Sequence, residues 1–390
     1  MQATHDFDVI IVGGGLVGAA CALALKDSGM RLALVETKLP PALPADTSWD
    51  SRVYAISPGS VAFLNQLGVW QTLDQQRIAP IHDMHIYGDD GVSQLDFSAY
   101  EAGLPELACI AESRLMHDAI WRALQQQQNL QLFCPAQCDE INWMPEQVEL
   151  RLHGGEVLRA KLVIGADGAD SWVRSQARIT AKIHSYQQSG VVANFETELA
   201  HGNIARQWFR SDGALAWLPL PGKRISIVWS AQQDKADELM HLPPHAFTDG
   251  VAKAGFETLG ALHLITPPAA FPLRMVGVDT LVQPRLALIG DAAHAIHPLA
   301  GQGVNLGLQD AQQLARLLAA GTPDCGELGL LRRYERARKE DVLALKAVTH
   351  GLHMLFNNTN PLLARLRNFG FTLTNRQSWI KNKLVQQALG

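Results

Sequence analysis

Two glycine-rich turns, each paired with an acid, carry the chemistry that this sequence offers. Gly13-Gly14-Gly15-Leu16-Val17-Gly18 has the spacing G-x-G-x-x-G between an apolar run, Val9-Ile10-Ile11-Val12, and a stretch with helical periodicity. Glycines so spaced permit a tight turn and bring bare backbone N–H groups, at the positive end of a helix, up to a pyrophosphate. Glu36 closes the next apolar run, about twenty residues on, where a carboxylate accepts hydrogen bonds from ribose hydroxyls. This first unit serves NAD and FAD alike, and the second turn decides between them. Gly290-Asp291-Ala292-Ala293-His294, followed by Pro298 and Gly301-Gln302-Gly303-Val304-Asn305, sets an acid at a strand's carboxyl end and a glycine turn at a helix start. Asp291 can accept hydrogen bonds from a sugar-alcohol chain, and the helix from near Gly303 aims its positive end at whatever precedes it. A flavin suits that arrangement, because its N1 and C2 carbonyl region becomes negative on reduction.

Such turns need a parallel sheet beneath them. The spacing predicts a βαβ unit: strand Val9 to Val12, a helix carrying Leu16, Ala20, Leu23 and Ala24, and a strand Leu32 to Val35. Further buried strands are expected near Leu132, at Leu162-Val163-Ile164 and at Leu286-Ala287-Leu288-Ile289, with helices through Leu115, Ala119, Ile120 and Leu124 and through Val304, Leu308, Ala311, Leu314 and Leu318. Residues 81–99 alternate around Gly88-Asp89-Asp90-Gly91, and strand-like runs such as Ile225-Ser226-Ile227-Val228-Trp229 fill the stretch from Lys182 to Pro284. The expected fold is therefore α/β. A discontinuous Rossmann-like domain (1–80, 105–181 and 284–345) carries an inserted, mainly antiparallel sheet domain for substrate (81–104 and 182–283) and a C-terminal helical segment (346–390).

With 390 residues, 47% of them apolar, the chain can bury a large core. A net charge of −5 argues against nucleic-acid binding, which needs a concentrated basic face. Five cysteines give no disulfide framework and fit a reducing compartment. Cys134 and Cys138, the one close pair, have no nearby partners for a metal, so no metal site is expected. The first apolar run is too short for a signal peptide or a membrane span, which places the protein in the cytoplasm. No acid follows Asp341, while Lys346, Arg365, Arg367, Arg376, Lys381 and Lys383 sit among apolar residues. Such a tail suits peripheral contact with anionic lipid at the inner membrane, or a protein partner, and equally suits a helical layer closing the main domain.

The glycine fingerprint, Gly165-Ala166-Asp167-Gly168 and Gly290-Asp291, in that order, resemble the flavin-dependent aromatic hydroxylases of the para-hydroxybenzoate hydroxylase type over nearly the whole chain. More narrowly, the run from Gly290 through His297-Pro298 to Gly307, the run from Leu162 to Ser171, and Leu331-Arg332-Arg333-Tyr334-Glu335-Arg336 are similar to the bacterial ubiquinone-biosynthesis hydroxylases. The resemblance implies that Gly13, Gly15, Leu16, Val17 and Gly18 with Glu36 hold the ADP half of FAD, that Arg52 and Arg114 contact the cofactor, and that Asp291 binds the ribityl chain. It further implies that Gly301, Gln302, Gly303, Val304 and Asn305 flank the isoalloxazine, and that Asp167 and Gly168 serve both FAD and transient nicotinamide binding. The sequence has no second G-x-G-x-x-G, no redox cysteine pair after the first turn, and no Trp-x-Trp-x-Ile pattern. These absences remove a separate nicotinamide domain, a disulfide reductase and a flavin halogenase.

The implied reaction is hydroxylation of an electron-rich ring, with NADH or NADPH reducing FAD and dioxygen supplying the oxygen. The substrate is a prenylated phenol or quinol of ubiquinone biosynthesis, with C5 as the favoured ring position. The cofactor performs the hard step, so no residue need be a covalent catalyst, and His294, His297, Pro298 and Gln302 are candidates for positioning only. An apolar passage for a prenyl chain is offered by Trp217, Leu218, Pro219 and Trp229, which read equally well as core. Two other readings stay open: hydroxylation of a water-soluble phenol, and a non-catalytic FAD-bearing component of a quinone-synthesis complex.

Overall fold

The computed structural model describes residues 4–356 apart from 41, 45, 47, 89–92, 211–212, 296–302 and 322, and apart from the side chains of 341 and 344–356. His297, Pro298, Gly301, Gln302 and the basic tail beyond 356 thus lie outside the described residues. A six-stranded sheet organises the first glycine turn, in the order Val282–Gln283, Leu286–Leu288, Leu162–Gly165, Val9–Val12, Leu32–Val35, Leu130–Phe133. All neighbours are parallel except the short first pair. Val9, Ile10, Ile11, Leu162, Val163 and Ile164 are fully buried, the unbroken apolar pattern of strands covered on both faces. Helix Leu16–Ala24 packs against the later helix Gly303–Ala319, so the two glycine turns are neighbours in space. A four-stranded sheet of Thr4–Asp6, Val157–Ala160, Val148–Leu152 and Cys138–Trp143 flanks this layer. Its meander had no counterpart in the sequence reading.

A larger sheet joins strands from two distant stretches. The hairpin Asp83–Tyr87 and Gln94–Ser98 adds to Ile204–Arg210 by a parallel pairing, and the sheet continues through Gly213–Leu220, Arg224–Gln232, Ala181–Thr197 and Ala269–Val278 to His294–Ala295. One face lies under helices Gln233–His241 and Pro244–Ala254, with Leu239, Phe247 and Val251 packed on Phe195, Trp217, Ile227 and Trp229. The other face meets a three-stranded sheet of Val53–Ile56, Ala108–Glu112 and Ala79–Ile81, where Leu218 and Leu220 join an apolar cluster with Ile81, Ala108 and Ile110.

This arrangement corrects part of the expected substrate pocket. Trp217 and Trp229 are 1% and 3% exposed, and the register sets Trp217 opposite Ile227 and Pro219 opposite Ile225, among the helix-covered residues. A Cβ on Gly255, just past the second helix, would fall 2.1 Å from the Trp217 ring. The three residues fill the core beneath the helices because strand alternation sends every second side chain there. Of the four residues, Leu218 alone points to the opposite face, and there it is half-buried.

Candidate cofactor site

At the first turn each glycine has its own reason. Gly13 has φ of +106°, and a Cβ on it would lie 2.4 Å from the Ala166 carbonyl oxygen; one on Gly18 would lie 2.0 Å from the Gly13 carbonyl oxygen. A Cβ on Gly15, the residue heading helix Leu16–Ala24, would meet nothing within 4 Å. The backbone at the helix's positive end is thus open to a ligand while the turn behind it is filled. Gly14 N–H donates to Glu36 Oε2 at 2.6 Å, and its carbonyl accepts from Trp121 Nε1 at 2.8 Å, with His117 Nε2 also at 2.8 Å. Glu36 therefore stands at the glycine turn, and helix Ser113–Gln125 braces that turn through two side chains the sequence reading passed over.

Asp167 and Gly168 follow Ala166 directly below Gly13. The Asp167 carboxylate accepts from Ser171 Oγ at 2.5 Å and Val173 N–H at 3.0 Å, so it orders the short helix Trp172–Gln176. Gly168, at φ +85°, has open space where a Cβ would stand. Arg114 is turned to the loop before the site: its guanidinium donates to the Ser48 carbonyl and lies 3.5 Å from Glu112, and its N–H donates to Asp50 at 3.1 Å. Arg52 lies across from Arg114 on the Asp50 carboxylate, to which its own N–H donates at 3.0 Å, and its guanidinium stacks 5.5 Å from the Tyr54 ring centroid.

The second turn gathers the charges. Asp291 is open to solvent along one side while protein atoms crowd the rest of it. That crowding holds its carboxyl above the usual carboxylate range, with Asp310 acting in the same direction, against the pull of His294, Arg52 and Arg274. Arg52 and Asp291 therefore share one neighbourhood, whereas no interaction joins Arg114 to Asp291 among the described residues. Val17 packs under Gly290 and Gly307, where a Cβ would lie 3.2 and 2.5 Å from it. Asn305 ties the helix start to the strand Val53–Ile56, accepting from Ser57 N–H at 3.0 Å and donating to the Ala55 carbonyl at 2.8 Å. Val304 packs on the main core. Arg174, buried and unforeseen, donates to the Ala292 carbonyl at 2.9 Å and the Ala169 carbonyl at 2.8 Å, bridging the two acid-bearing turns.

Beneath Asp291 lies Asp310, fully buried, within 2.7 Å of both Arg338 Nε and His294 Nε2. Burial pushes its carboxyl upward, but His294 and Arg338 outweigh that and hold it below the usual range. The His294 nitrogen lies within that distance without meeting hydrogen-bond geometry. An acid on the apolar stripe of helix Gly303–Ala319, between Gly307 and Leu314, was the available sign of this cluster. Burial pushes the thiols of Cys21, Cys109 and Cys138 up to about 12, so none of them is a thiolate at neutral pH.

The open helix head at Gly15, the acid at Glu36 and the solvent-facing Asp291 fit the two ends of FAD, and the arrangement is that of a flavin-dependent monooxygenase. Residues 6–348 match the family described as FAD binding domain, to which the chain belongs. The chain is 36% identical over 389 residues to 3-demethoxyubiquinol 3-hydroxylase of Escherichia coli (strain K12), covering 98% of each chain. It is 34% identical over 386 residues to ubiquinone hydroxylase UbiL of Rhodospirillum rubrum, covering 98% of this chain and 89% of that one. Among solved structures, p-nitrophenol 4-monooxygenase PnpA from Pseudomonas putida DLL-E4 has the same fold, with a TM-score of 0.79 at 19% identity, covering 100% of this chain and 99% of the other. The protein is thus a member of the ubiquinone-biosynthesis hydroxylases, an FAD-dependent monooxygenase of the class that uses NAD(P)H. No helix among the described residues is long and apolar enough to cross a membrane.

Proposed function

We propose that this enzyme hydroxylates the ring of a polyprenylated phenol or benzoquinol intermediate of ubiquinone biosynthesis, with dioxygen and NAD(P)H as co-substrates. The carrying observation is the open Asp291, which follows the Gly290 turn packed on Val17 of the first glycine turn, and the names of the two curated relatives agree with it. Residues 81–104 and 182–283 form the substrate-binding part. Gly13, Gly15, Leu16, Val17 and Gly18 with Glu36 receive the ADP half of FAD. Asp291 and Arg52 receive its ribityl side, and Gly301, Gln302, Gly303, Val304 and Asn305 flank its ring system. Asp167 acts by shaping the Gly168 turn at the pyrophosphate end, and Arg114 by holding the loop at Ser48 and Asp50. When bound, the flavin supplies activation of dioxygen.

The chain's own residues bind, orient and keep water out. In register across the sheet, Val192 pairs with Val228 and Val228 with Ala216, on the face shared with Leu218. Asn194 shares that face, and its Nδ2 donates to the carbonyl of Asp50, two residues before Arg52, at 2.8 Å. A surface of that kind excludes water from the reacting ring and accommodates a prenyl chain. Because such a substrate stays in the bilayer, the basic, apolar composition beyond 356 suits contact with an anionic membrane surface or with a partner of a quinone-synthesis complex.

Deletion of the gene in a quinone-making host, followed by mass analysis of accumulated intermediates, tests the proposal. The expected result is a prenylated intermediate lacking one ring oxygen, with the carbon attacked (C5 or another) read from its structure. An unchanged quinone pool, with the purified enzyme oxidising NAD(P)H only in response to water-soluble phenols, overturns it. Bound FAD with no substrate-stimulated NAD(P)H oxidation favours a non-catalytic component instead.

A further inference from the structure

The stretch Leu331 to Arg336, similar to the hydroxylase family but without a role there, lies on the long helix Leu328–Phe356. Its side chains reach the segment that delivers Asp291. Tyr334, fully buried, donates its hydroxyl to the Leu288 carbonyl at 3.0 Å. Glu335 Oε1 accepts from Thr280 Oγ1 and Leu281 N–H, both at 2.8 Å. One turn on, Arg338 Nε donates to Asp310 Oδ1 at 2.7 Å, while its Nη2 donates to the Leu306 carbonyl at 3.3 Å and Gln309 Oε1 at 3.1 Å. The other Asp310 oxygen accepts from Gly290 N–H at 2.9 Å. Gly290 is the left-handed residue, φ +60°, that turns the chain immediately before Asp291.

A buried carboxylate and guanidinium rarely add stability over well-packed apolar residues, because both must be desolvated. Their use here is directional: a carboxylate fixed by a guanidinium fork presents its second oxygen to one backbone amide at one place. Resting on the reading that the chain binds FAD, we propose that Arg338 and Asp310 are positioning residues, which lock the Gly290 turn so that Asp291 meets the ribityl hydroxyls. The C-terminal helix is then a working part of the flavin site. Arg338 also keeps a positive charge behind the start of helix Gly303–Ala319, where negative charge collects on the reduced flavin.

The test uses the full chain and its Arg338→Met and Arg338→Lys variants. Arg285→Met is a control: Arg285 is another buried arginine, bonded to the Pro145 carbonyl at 2.9 Å and paired with Asp324 beyond the opposite end of strand Leu286–Leu288. FAD affinity of the apoprotein, flavin midpoint potential and urea unfolding are measured for each. Arg338→Met should weaken FAD binding ten-fold or more and lower the midpoint potential, with Arg338→Lys intermediate. Arg285→Met should lower the unfolding midpoint without changing FAD affinity. If Arg338→Met binds FAD within two-fold of wild type at an unshifted potential, Arg338 is structural only and the proposal fails. If Arg338→Met does not fold, Arg338→Lys decides by the same two readouts. A wild-type chain that binds no FAD would instead sink the functional reading, and a wild type that hydroxylates normally beside an indifferent Arg338→Met sinks this inference alone.

Discussion

The two turns proposed to meet FAD are built on different physics. At Gly13 to Gly18 the shape follows from missing atoms: side chains at Gly13 and Gly18 would collide with the Ala166 and Gly13 carbonyls, and the contacts that matter are with adjacent strands. At Gly290 and Asp291 a single left-handed glycine is held by charge, with Asp310 on its amide, Arg338 behind Asp310 and Arg174 on the Ala292 carbonyl. A turn made by steric exclusion has its cause in the backbone packed directly against it, here the Gly13 and Ala166 carbonyls. A turn held by buried ions draws its cause from helices far along the chain, and its stability and function can be separated by mutation.

The largest effect should come from closing the steric turn. Gly18→Ala puts a methyl group 2.0 Å from a backbone oxygen that no side-chain rotation can move. That overpacking costs about 3 kcal/mol or more. The variant should show a clearly lowered unfolding midpoint in urea and no retained flavin. Near-normal stability would mean that the turn relaxes freely and that sterics do not set it. Gly15→Ala sharpens the contrast within the same motif. Its φ of −65° suits any residue and its surroundings are open, so stability should stay within about 0.5 kcal/mol. FAD affinity, read by titrating apoprotein, should nevertheless fall about ten-fold, because the methyl stands where the pyrophosphate approaches the helix.

The same division explains what was legible in the sequence. The parallel strands, the first glycine turn, the turn at Gly290 and the helices beginning near Leu16, Ser113 and Gly303 are local signals, and they appear where expected, with Gly301 and Gln302 outside the described residues. Glu36 and Asp291 were legible because each stands at a strand's end, beside a glycine turn. His117, Trp121, Arg174 and Arg338 were not, since each acts on backbone carbonyls or a carboxylate more than 25 residues away, as their bonds to Gly14, Ala292 and Asp310 show, and no spacing rule encodes that. Trp217 and Trp229 failed for another reason. Alternation reveals that a strand has two faces but not which one the helices cover, and helices Gln233–His241 and Pro244–Ala254 settle that through their packing on the tryptophans.

The smallest effect is a matter of pH at Asp291. Its carboxyl is held above the usual range in the folded protein, chiefly by burial, so the folded state favours the protonated acid. The corresponding stabilisation is present below the unfolded carboxyl's pKa, about 4, and is lost as pH rises through the higher folded value. At neutral pH the apoprotein therefore carries a destabilising charge that Asp291→Asn removes. The gain should be well under about 1 kcal/mol, because the side chain is open to solvent and screened. Urea unfolding of the two apoproteins should show the variant slightly more stable at neutral pH and the two converging below about pH 4. FAD should bind the variant several-fold more weakly, since an amide oxygen replaces a charged acceptor. Greater stability with poorer cofactor binding would mark Asp291 as a group kept for its ligand, with the turn held by Asp310 and Arg338. A variant less stable at every pH would reverse that assignment, because the turn would then depend on Asp291 for its own shape.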